Sequence, residues 1–129
     1  MAVYTATSED IKPIARLGED YVQSTQFGSE FDYDTWFEFV RKCAIKANIE
    51  VAVAHVENRV VGFAIGVVAR YPWRNDYRIV MEHIYIKPGY ESQRPLLFDH
   101  MLGWAEKLNL NDVMLLNNQN GWLFREAVE

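Results

Sequence analysis

Glu82 is the residue whose type and surroundings best suit it to proton transfer. It lies within an alternating stretch, and the residues two positions away, Val80 and Ile84, are apolar. A carboxylate on such an apolar face has a raised pKa, which suits a general base. Alternatively, Glu82 lies at an edge or surface and pairs with Arg70 or Arg78. The sequence leaves both interpretations open.

Three histidines are the other titratable candidates: His55, His83 and His100. No two of them have the spacing of a metal site, so we predict no metal. By strand alternation His83 lies with Met81 and Tyr85, on the face opposite to Glu82. These two residues therefore cannot serve one reacting centre without a bulge. We expect all three histidines to be hydrogen-bonded structural residues.

Composition narrows the class of protein. The chain has 129 residues, half of them apolar, with 13 Lys and Arg against 18 Asp and Glu. This is typical of one globular domain and excludes a disordered or fibrous chain. The net charge of −5 disfavours nucleic-acid binding, because phosphate contacts need a surplus of Lys and Arg. With no apolar run long enough to cross a membrane and a single cysteine, we expect a soluble, cytoplasmic protein.

The elements that position these residues follow from hydrophobic periodicity, which predicts the order β-α-α-β-β-β-α-β-α. The predicted strands span residues 2–7, 49–56, 60–70, 77–86 and 113–116. The predicted helices span residues 8–25, 34–47, 94–108 and 121–128. Asp34 is a possible N-cap of the second helix, whose apolar stripe runs to Ala47 and makes Cys43 a core residue.

The predicted strands also have predicted neighbours. A tight turn at 57–59 joins 49–56 and 60–70 into a hairpin, in which Gly62 and Gly66 indicate bulges or close packing. Strands 77–86 and 113–116 are joined through a helix, so we expect them to be parallel neighbours. The predicted architecture is a mixed α+β sheet in a single domain over residues 1–129.

This order of elements, with three short segments, resembles the GCN5-related N-acetyltransferase (GNAT) superfamily over nearly the whole chain. The segments are Ala-Thr-Ser-Glu-Asp-Ile at 6–11, Val-Val-Gly-Phe-Ala at 60–64 and Tyr-Ile-Lys-Pro at 85–88. The resemblance implies that strand 77–86 splays from its parallel neighbour and that acetyl-CoA enters the gap. Ile84, Tyr85 and Ile86 match the strand end that holds the pantetheine arm in that family.

The resemblance also implies acetyl transfer to an amine, with Glu82 as the base. The family's phosphate loop corresponds to residues 89–96, and its positions assign four further cofactor residues: Ser92, Gln93, Arg94 and Leu96. This loop departs from the family pattern. It lacks the motif glycines, Glu91 places a negative charge near the phosphates, and Pro95 removes an N–H group. Arg94 and Lys87 offset part of that loss.

Two features near the C-terminus depart from the family as well. Phe124 stands where a Tyr often serves as the acid, in a segment of the predicted last helix. We also expect the chain to lack the family's C-terminal hairpin. Both departures favour an alternative function, a catalytically inactive GNAT-like binding or structural protein. Short chains with such a loop resemble GNAT-like proteins of bacteriophages, including virion and host-directed proteins.

Two surfaces suggest a protein partner or a homodimer. Without the hairpin, strand 113–116 has an exposed edge, which invites strand pairing. The loop at 70–78 combines three arginines with Tyr71, Trp73 and Tyr77, a composition enriched at interfaces. The alternative is a solvated strand connection whose aromatic rings fold onto the sheet. An aromatic cluster in the second helix covers the core, an acceptor site or an interface. Its members are Tyr33, Trp36, Phe37 and Phe39.

Overall fold

The computed structural model describes residues 2–24, 28–70, 73, 75–110, 112–117 and 124–128, which form six strands and three α-helices. The strands are β1 (Ala2–Thr5), β2 (Ile49–Val56), β3 (Arg59–Ala69), β4 (Arg78–Ile86), β5 (Val113–Asn117) and β6 (Phe124–Val128). The helices are α1 (Ile11–Gln23), α2 (Tyr33–Ile45) and α3 (Arg94–Lys107). Short 3-10 turns precede them at Ser8–Asp10, Gly28–Glu30 and Glu91–Gln93.

The strands form one sheet in the order β1-β2-β3-β4-β5-β6. Every neighbouring pair is antiparallel except β4 and β5, which are parallel and joined through α3. This confirms the predicted crossover, since two parallel neighbours need a long connection that passes over the sheet.

Helices cover both faces of the sheet. On one face α1 and α2 pack over a buried cluster that includes Ile14, Val40, Val53 and Phe63. On the other face α3 packs over a cluster that includes Val61, Ile79, Leu97 and Met101. β2 contributes alternate residues to both clusters, as its two apolar faces predicted.

The start and end of α2 differ from the prediction. Asp32, not Asp34, is the N-cap, because its extended backbone lets its carboxylate accept a 3.0 Å hydrogen bond from the Thr35 N–H. Asp34 lies in the first turn of the helix. The helix ends at Ile45, so Ala47 lies beyond the stripe and is exposed.

The predicted hairpin between β2 and β3 turns through two residues. Glu57 and Asn58 both have positive φ, 51° and 64°, as a type I′ turn requires. This turn matches the right-handed twist of the flanking strands, and it places β2 and β3 in the centre of the antiparallel half of the sheet.

The described part of the C-terminal segment is a strand, so the helix predicted over 121–128 is wrong at residues 124–128. β6 pairs antiparallel with β5 from Val113–Val128 to Asn117–Phe124. Pairing gives the backbone groups along β5 partners that a separate helix would leave to solvent, and this outweighs local helix propensity. The exposed edge expected at 113–116 is therefore covered by the chain's own β6.

Candidate functional site

β4 and β5 run side by side over a short length, after which their described pairing ends. Their parallel pairing joins Ile79 to Val113, Val80 to Met114 and Met81 to Leu115. β4 continues to Ile86, yet in the described residues no strand pairs with it on this side beyond Met81. The last five residues of β4 therefore have no described strand partner on the side where the sequence resemblance implied a gap.

A β-bulge lies where this described pairing ends. Ile65 pairs with His83 and Gly66 with Met81, so Glu82 is an extra residue without a partner position on β3. Gly66 allows close packing here, because a Cβ atom at this position would lie 3.0 Å from the Met101 sulfur and that side chain would have to shift. The possibility that Gly66 marks a bulge or close packing is confirmed in both senses.

The bulge changes which residues of β4 share a face. Met81 packs in the cluster under α3 together with Ile84 and Ile86, whereas His83 and Tyr85 contact the aromatic rings under α1 and α2. The expectation that Met81 and His83 lie on one face is therefore wrong. Uninterrupted alternation no longer holds once an extra residue enters the strand.

His83 is held at the centre of an aromatic cage. Its Nδ1 lies 2.7 Å from the Tyr21 hydroxyl oxygen. The rings of Tyr21, Trp36 and Phe39 meet the imidazole edge to face, with centroids 5.6, 5.9 and 5.5 Å away. The expectation of a hydrogen-bonded histidine is confirmed for this residue.

The cage also determines where the protons lie. Burial lowers the pKa of His83 to about 4, so its imidazole is neutral at pH 7. Burial, together with the charge of Glu82, raises the pKa of Tyr21 to about 12, so its phenol keeps its proton. With the phenol protonated and the imidazole neutral, we assign the Tyr21 O–H as the donor to Nδ1 and the ring proton to Nε2.

Glu82 lies on the side of the sheet that faces α1 and α2. Its negative charge contributes to the raised pKa values of Tyr21 and of the Cys43 thiol, in both cases after burial. Arg78, one of the two expected partners of Glu82, is buried and forms ion pairs with Asp112 at 3.2 Å and Asp76 at 3.5 Å. Arg78 is therefore not an exposed contact residue of the 70–78 loop.

A cavity of 380 Å³, here the α1–α2 cavity, opens beside His83. Its lining residues are Val22, Glu30, Phe31, Asp32, Thr35, Trp36, Phe39 and His83. Aromatic rings form much of its wall, and two carboxylates lie at its edge. Trp36 and Phe39 are two members of the predicted aromatic cluster, and here they cover a cavity next to β4.

A second opening of 210 Å³, here the β4–α3 cleft, lies at the end of β4. It is lined by Ser24, Ile84, Tyr85, Ile86, Glu91 and Arg94. Four of the residues predicted to hold a cofactor are among them. Of the other three, Ser92 and Leu96 are exposed outside this lining, and Gln93 is buried with 2% of its surface exposed.

Several lining residues escaped the sequence analysis. Ser24 at the end of α1, and Glu30 and Asp32 before α2, have no periodic or motif signal, because long-range packing alone brings them to β4. Tyr21 belongs to the apolar stripe of α1, so its type and spacing predict a core residue only. A bulge beside Gly66 was the sequence signal that bears on His83, because one extra residue in the strand moves His83 to the other face of the sheet.

The other two histidines have acidic partners away from both openings. His55 Nε2 lies 3.2 Å from an oxygen of Asp10, and His100 Nε2 lies 2.6 Å from an oxygen of Glu50. Both histidines link neighbouring elements, which confirms the structural role expected of them. Within the described residues, no group of three or more His, Cys, Asp and Glu side chains could hold a metal ion. Over the same residues, no helix is long and apolar enough to cross a membrane.

Parts of two predicted motifs lie outside the described residues. In the 70–78 loop these are Tyr71, Pro72 and Arg74, and in the segment that resembles the family's last helix they are residues 118–123. Phe124, predicted to stand where a Tyr of the family often serves as the general acid, is the first residue of β6.

Three solved structures illustrate what the fold is similar to. The chain superposes on an aminoglycoside 6′-N-acetyltransferase from Acinetobacter haemolyticus with a TM-score of 0.77 and 12% identity, over 100% of this chain and 95% of that one. A ribosomal-protein-alanine N-acetyltransferase from Brucella melitensis biovar Abortus 2308 superposes with a TM-score of 0.67 and 19% identity, over 89% of this chain and 79% of that one. A predicted acetyltransferase from Clostridium acetobutylicum, solved with acetyl-CoA, superposes with a TM-score of 0.69 and 12% identity, over 93% of this chain and 82% of that one.

These likenesses establish the fold class, which is that of the GNAT acetyltransferases. No protein-family model matches the sequence, and no curated protein matches it. The fold shows a GNAT-like domain, and activity has to be argued from the two openings on β4.

Proposed function

We propose that the chain transfers an acetyl group from acetyl-CoA to an amine. The thioester end occupies the β4–α3 cleft, and the amine occupies the α1–α2 cavity. The observation that carries this proposal is that His83 lines one opening while Ile84 and Tyr85 line the other. Successive Cα atoms are about 3.8 Å apart, so donor and acceptor meet at neighbouring residues of one strand.

The residues of the β4–α3 cleft fit the arm of the donor. When bound, acetyl-CoA supplies an activated acetyl group at the end of a largely neutral chain that contains amides. Beyond Met81, the edge of β4 that faces the gap has no paired strand in the described residues, and such an edge can hydrogen-bond to amides. Ile84 and Ile86 add apolar contact. The phosphate end fits less well, because the Glu91 carboxylate lines the same cleft.

The α1–α2 cavity suits a cationic amine with an apolar or aromatic body. Trp36 and Phe39 provide apolar walls. Hydrogen bonds from Thr35 lower the pKa of Asp32, which therefore stays ionised at the cavity edge, next to Glu30. Carboxylates at this edge attract the ammonium form of an amine.

In the proposed reaction Glu82, which precedes His83 on β4 and is not among the lining residues of either opening, accepts the proton of the amine through water. The amine nitrogen bonds to the acetyl carbon as the carbon–sulfur bond breaks, and solvent protonates the leaving thiolate. His83 is too weak a base for this task at pH 7. Its Nε2–H, held in position by Tyr21, instead donates a hydrogen bond that orients the acceptor.

The test is thermal unfolding with and without millimolar acetyl-CoA, followed by transfer assays on an amine panel. A ligand at a hundredfold excess over its Kd stabilises the fold by about 2.7 kcal/mol, which raises the midpoint by several degrees. Glu82→Gln should keep this shift and lose about 10²- to 10⁴-fold of the turnover, while the exposed control Glu106→Gln should keep both. No shift with acetyl-CoA would overturn the proposal.

We propose self-association as a second candidate function, because apolar side chains are exposed at the opposite end of the sheet. Ile45 and Tyr77 are 77% and 53% exposed. A groove of 400 Å³ runs between Val68, Tyr77, Leu108 and Leu110. Sedimentation velocity should detect a dimer that Leu108→Lys weakens, and a wild-type chain that stays monomeric at high concentration would exclude this candidate.

A further inference from the structure

The connection from β4 to α3 uses most of its own backbone N–H groups. Tyr90 donates to the Lys87 carbonyl at 3.0 Å, and Gln93 donates to the Tyr90 carbonyl at 2.9 Å. Arg94 donates to the Glu91 carbonyl, and Pro95 has no N–H to offer. Amides that already have an acceptor within the connection contribute less to binding an anion at the start of α3.

Glu91 occupies a further amide with its side chain. Both of its carboxylate oxygens accept from the Gly89 N–H, at 3.0 and 3.1 Å. Gly89 has a φ of 94°, a conformation that favours glycine and lets the loop fold back onto the Glu91 side chain. The exposed Glu91 carboxylate thus already binds an amide of the loop that the resemblance assigns to the phosphates.

The charge of Glu91 persists at neutral pH. Hydrogen bonds from its own N–H and from that of Gly89 lower the pKa of the carboxyl group. The ionised side chain lines the β4–α3 cleft together with Arg94. The Arg94 guanidinium stacks over the Phe98 ring, 5.1 Å from its centre, so one cation and one anion face the cleft.

The other wall of the cleft has the opposite character. Ile84, Tyr85 and Ile86 line it with an apolar strand end that carries no charge. A neutral arm with amide groups matches this wall, whereas a diphosphate would meet a fixed carboxylate and amides that already have acceptors.

We propose that Glu91 makes the cleft recognise the pantetheine arm of its thioester donor and give the nucleotide diphosphate no net binding. This inference rests on the proposed function and specifies its donor: the neutral arm carries the affinity. S-acetyl-pantetheine, which lacks the nucleotide, then binds about as tightly as acetyl-CoA.

The test is calorimetric titration of the whole chain with CoA and with pantetheine, neither of which carries an acetyl group to be consumed. In the wild-type chain the two dissociation constants should agree within about threefold. Glu91→Gln should tighten CoA about tenfold, because it removes a repulsive charge and weakens the hold on the Gly89 N–H. Pantetheine should bind this variant as it binds the wild type, and Glu106→Gln, an exposed control in α3, should change neither constant.

The possible outcomes separate this inference from the proposed function. Wild-type binding of CoA at least tenfold tighter than pantetheine overturns this inference and leaves the proposed function standing, and absence of a gain in Glu91→Gln likewise overturns the role of Glu91. Absence of binding by either ligand overturns both. If Glu91→Gln folds poorly by circular dichroism, the wild-type comparison of the two ligands still decides, since it needs no variant.

Discussion

The two halves of β4 differ in what surrounds them. From Arg78 to Met81 the strand is buried and pairs with β3 on one side and β5 on the other. From Glu82 to Ile86 every residue is only partly buried, and within the described residues the pairing with β5 has ended. A bulge at Glu82 separates the halves.

This difference shows how one strand provides both stability and a site. The first half gives the sheet a fully packed centre under α3. The second half gives up pairing and burial, and both openings of the candidate site lie along it. Sites of this kind are taken from the less stable parts of a fold, because ligands need backbone and side chains that the core does not use.

The largest expected effect is on the free energy of unfolding. It compares Met81, a buried residue of the first half, with Ile84, a partly buried residue of the second half. Met81→Ala should lower the free energy of unfolding by about 2–5 kcal/mol, because Met81 is fully buried and its removal leaves a cavity. Ile84→Ala, in the partly buried half, should cost about half as much or less. Urea unfolding of both variants measures this difference, and equal losses of stability would contradict the contrast between the two halves of β4.

The next effect concerns pH and belongs to the second half alone. An unfolded histidine titrates near pH 6.5, whereas the pKa of His83 in the fold is about 4. Between these values the unfolded chain binds a proton that the folded chain excludes. Stability is therefore complete above about pH 6.5 and decreases as the pH falls towards 4, by a total on the order of 3 kcal/mol.

Unfolding experiments across this pH range check the effect. His83→Gln should show a shallower loss of stability between pH 6.5 and 4 than the wild type. Met81→Ala should keep the wild-type slope, since it lies in the other half and on the other face. The same slope in all three chains would remove His83 from the acid sensitivity.

The smallest effect tests the bond that holds His83. Tyr21→Phe removes the donor 2.7 Å from Nδ1 and should cost about 1–2 kcal/mol, because a buried ring nitrogen loses its partner. The control is Tyr77→Phe, whose side chain is 53% exposed and should tolerate the change. Nitrogen NMR of His83 provides a second readout: the Nε2–H tautomer should dominate in the wild type and lose its preference in Tyr21→Phe. Unchanged tautomer populations would contradict the assigned donor.

Most of the fold followed from the sequence because its signals are local. The period of two in β2 and β3, the turn before Arg59 and the crossover through α3 each arise from neighbouring residues. The prediction for the last segment was wrong because its structure depends on a neighbouring strand and not on a local signal. Phe124–Val128 is a strand because it lies beside β5, and no pattern within those five residues indicates that partner.

The site was predictable along β4 and not across it. Ile84, Tyr85 and Ile86 were assigned from the family resemblance at this strand end, and they line the β4–α3 cleft. The relation between Glu82 and His83 depends on one extra residue, which reverses the alternation used to separate them. Tyr21 reaches His83 across a sequence separation of 62 residues, so only the packing of α1 reveals this contact.

The turn at Glu57 and Asn58 has a consequence for the order in which the sheet forms. β2, β3 and β4 are joined by short connections, so their pairing closes small loops and is fast. β5 can pair with β4 only after the whole of α3 has crossed the sheet. In a φ-value analysis, which compares the effect of a mutation on the folding rate with its effect on stability, we expect high values in β2 and β3 and low values in β5. β5 should therefore pair with β4 last during folding and separate from it first during unfolding. Destabilising β5 should then speed unfolding more than it slows folding.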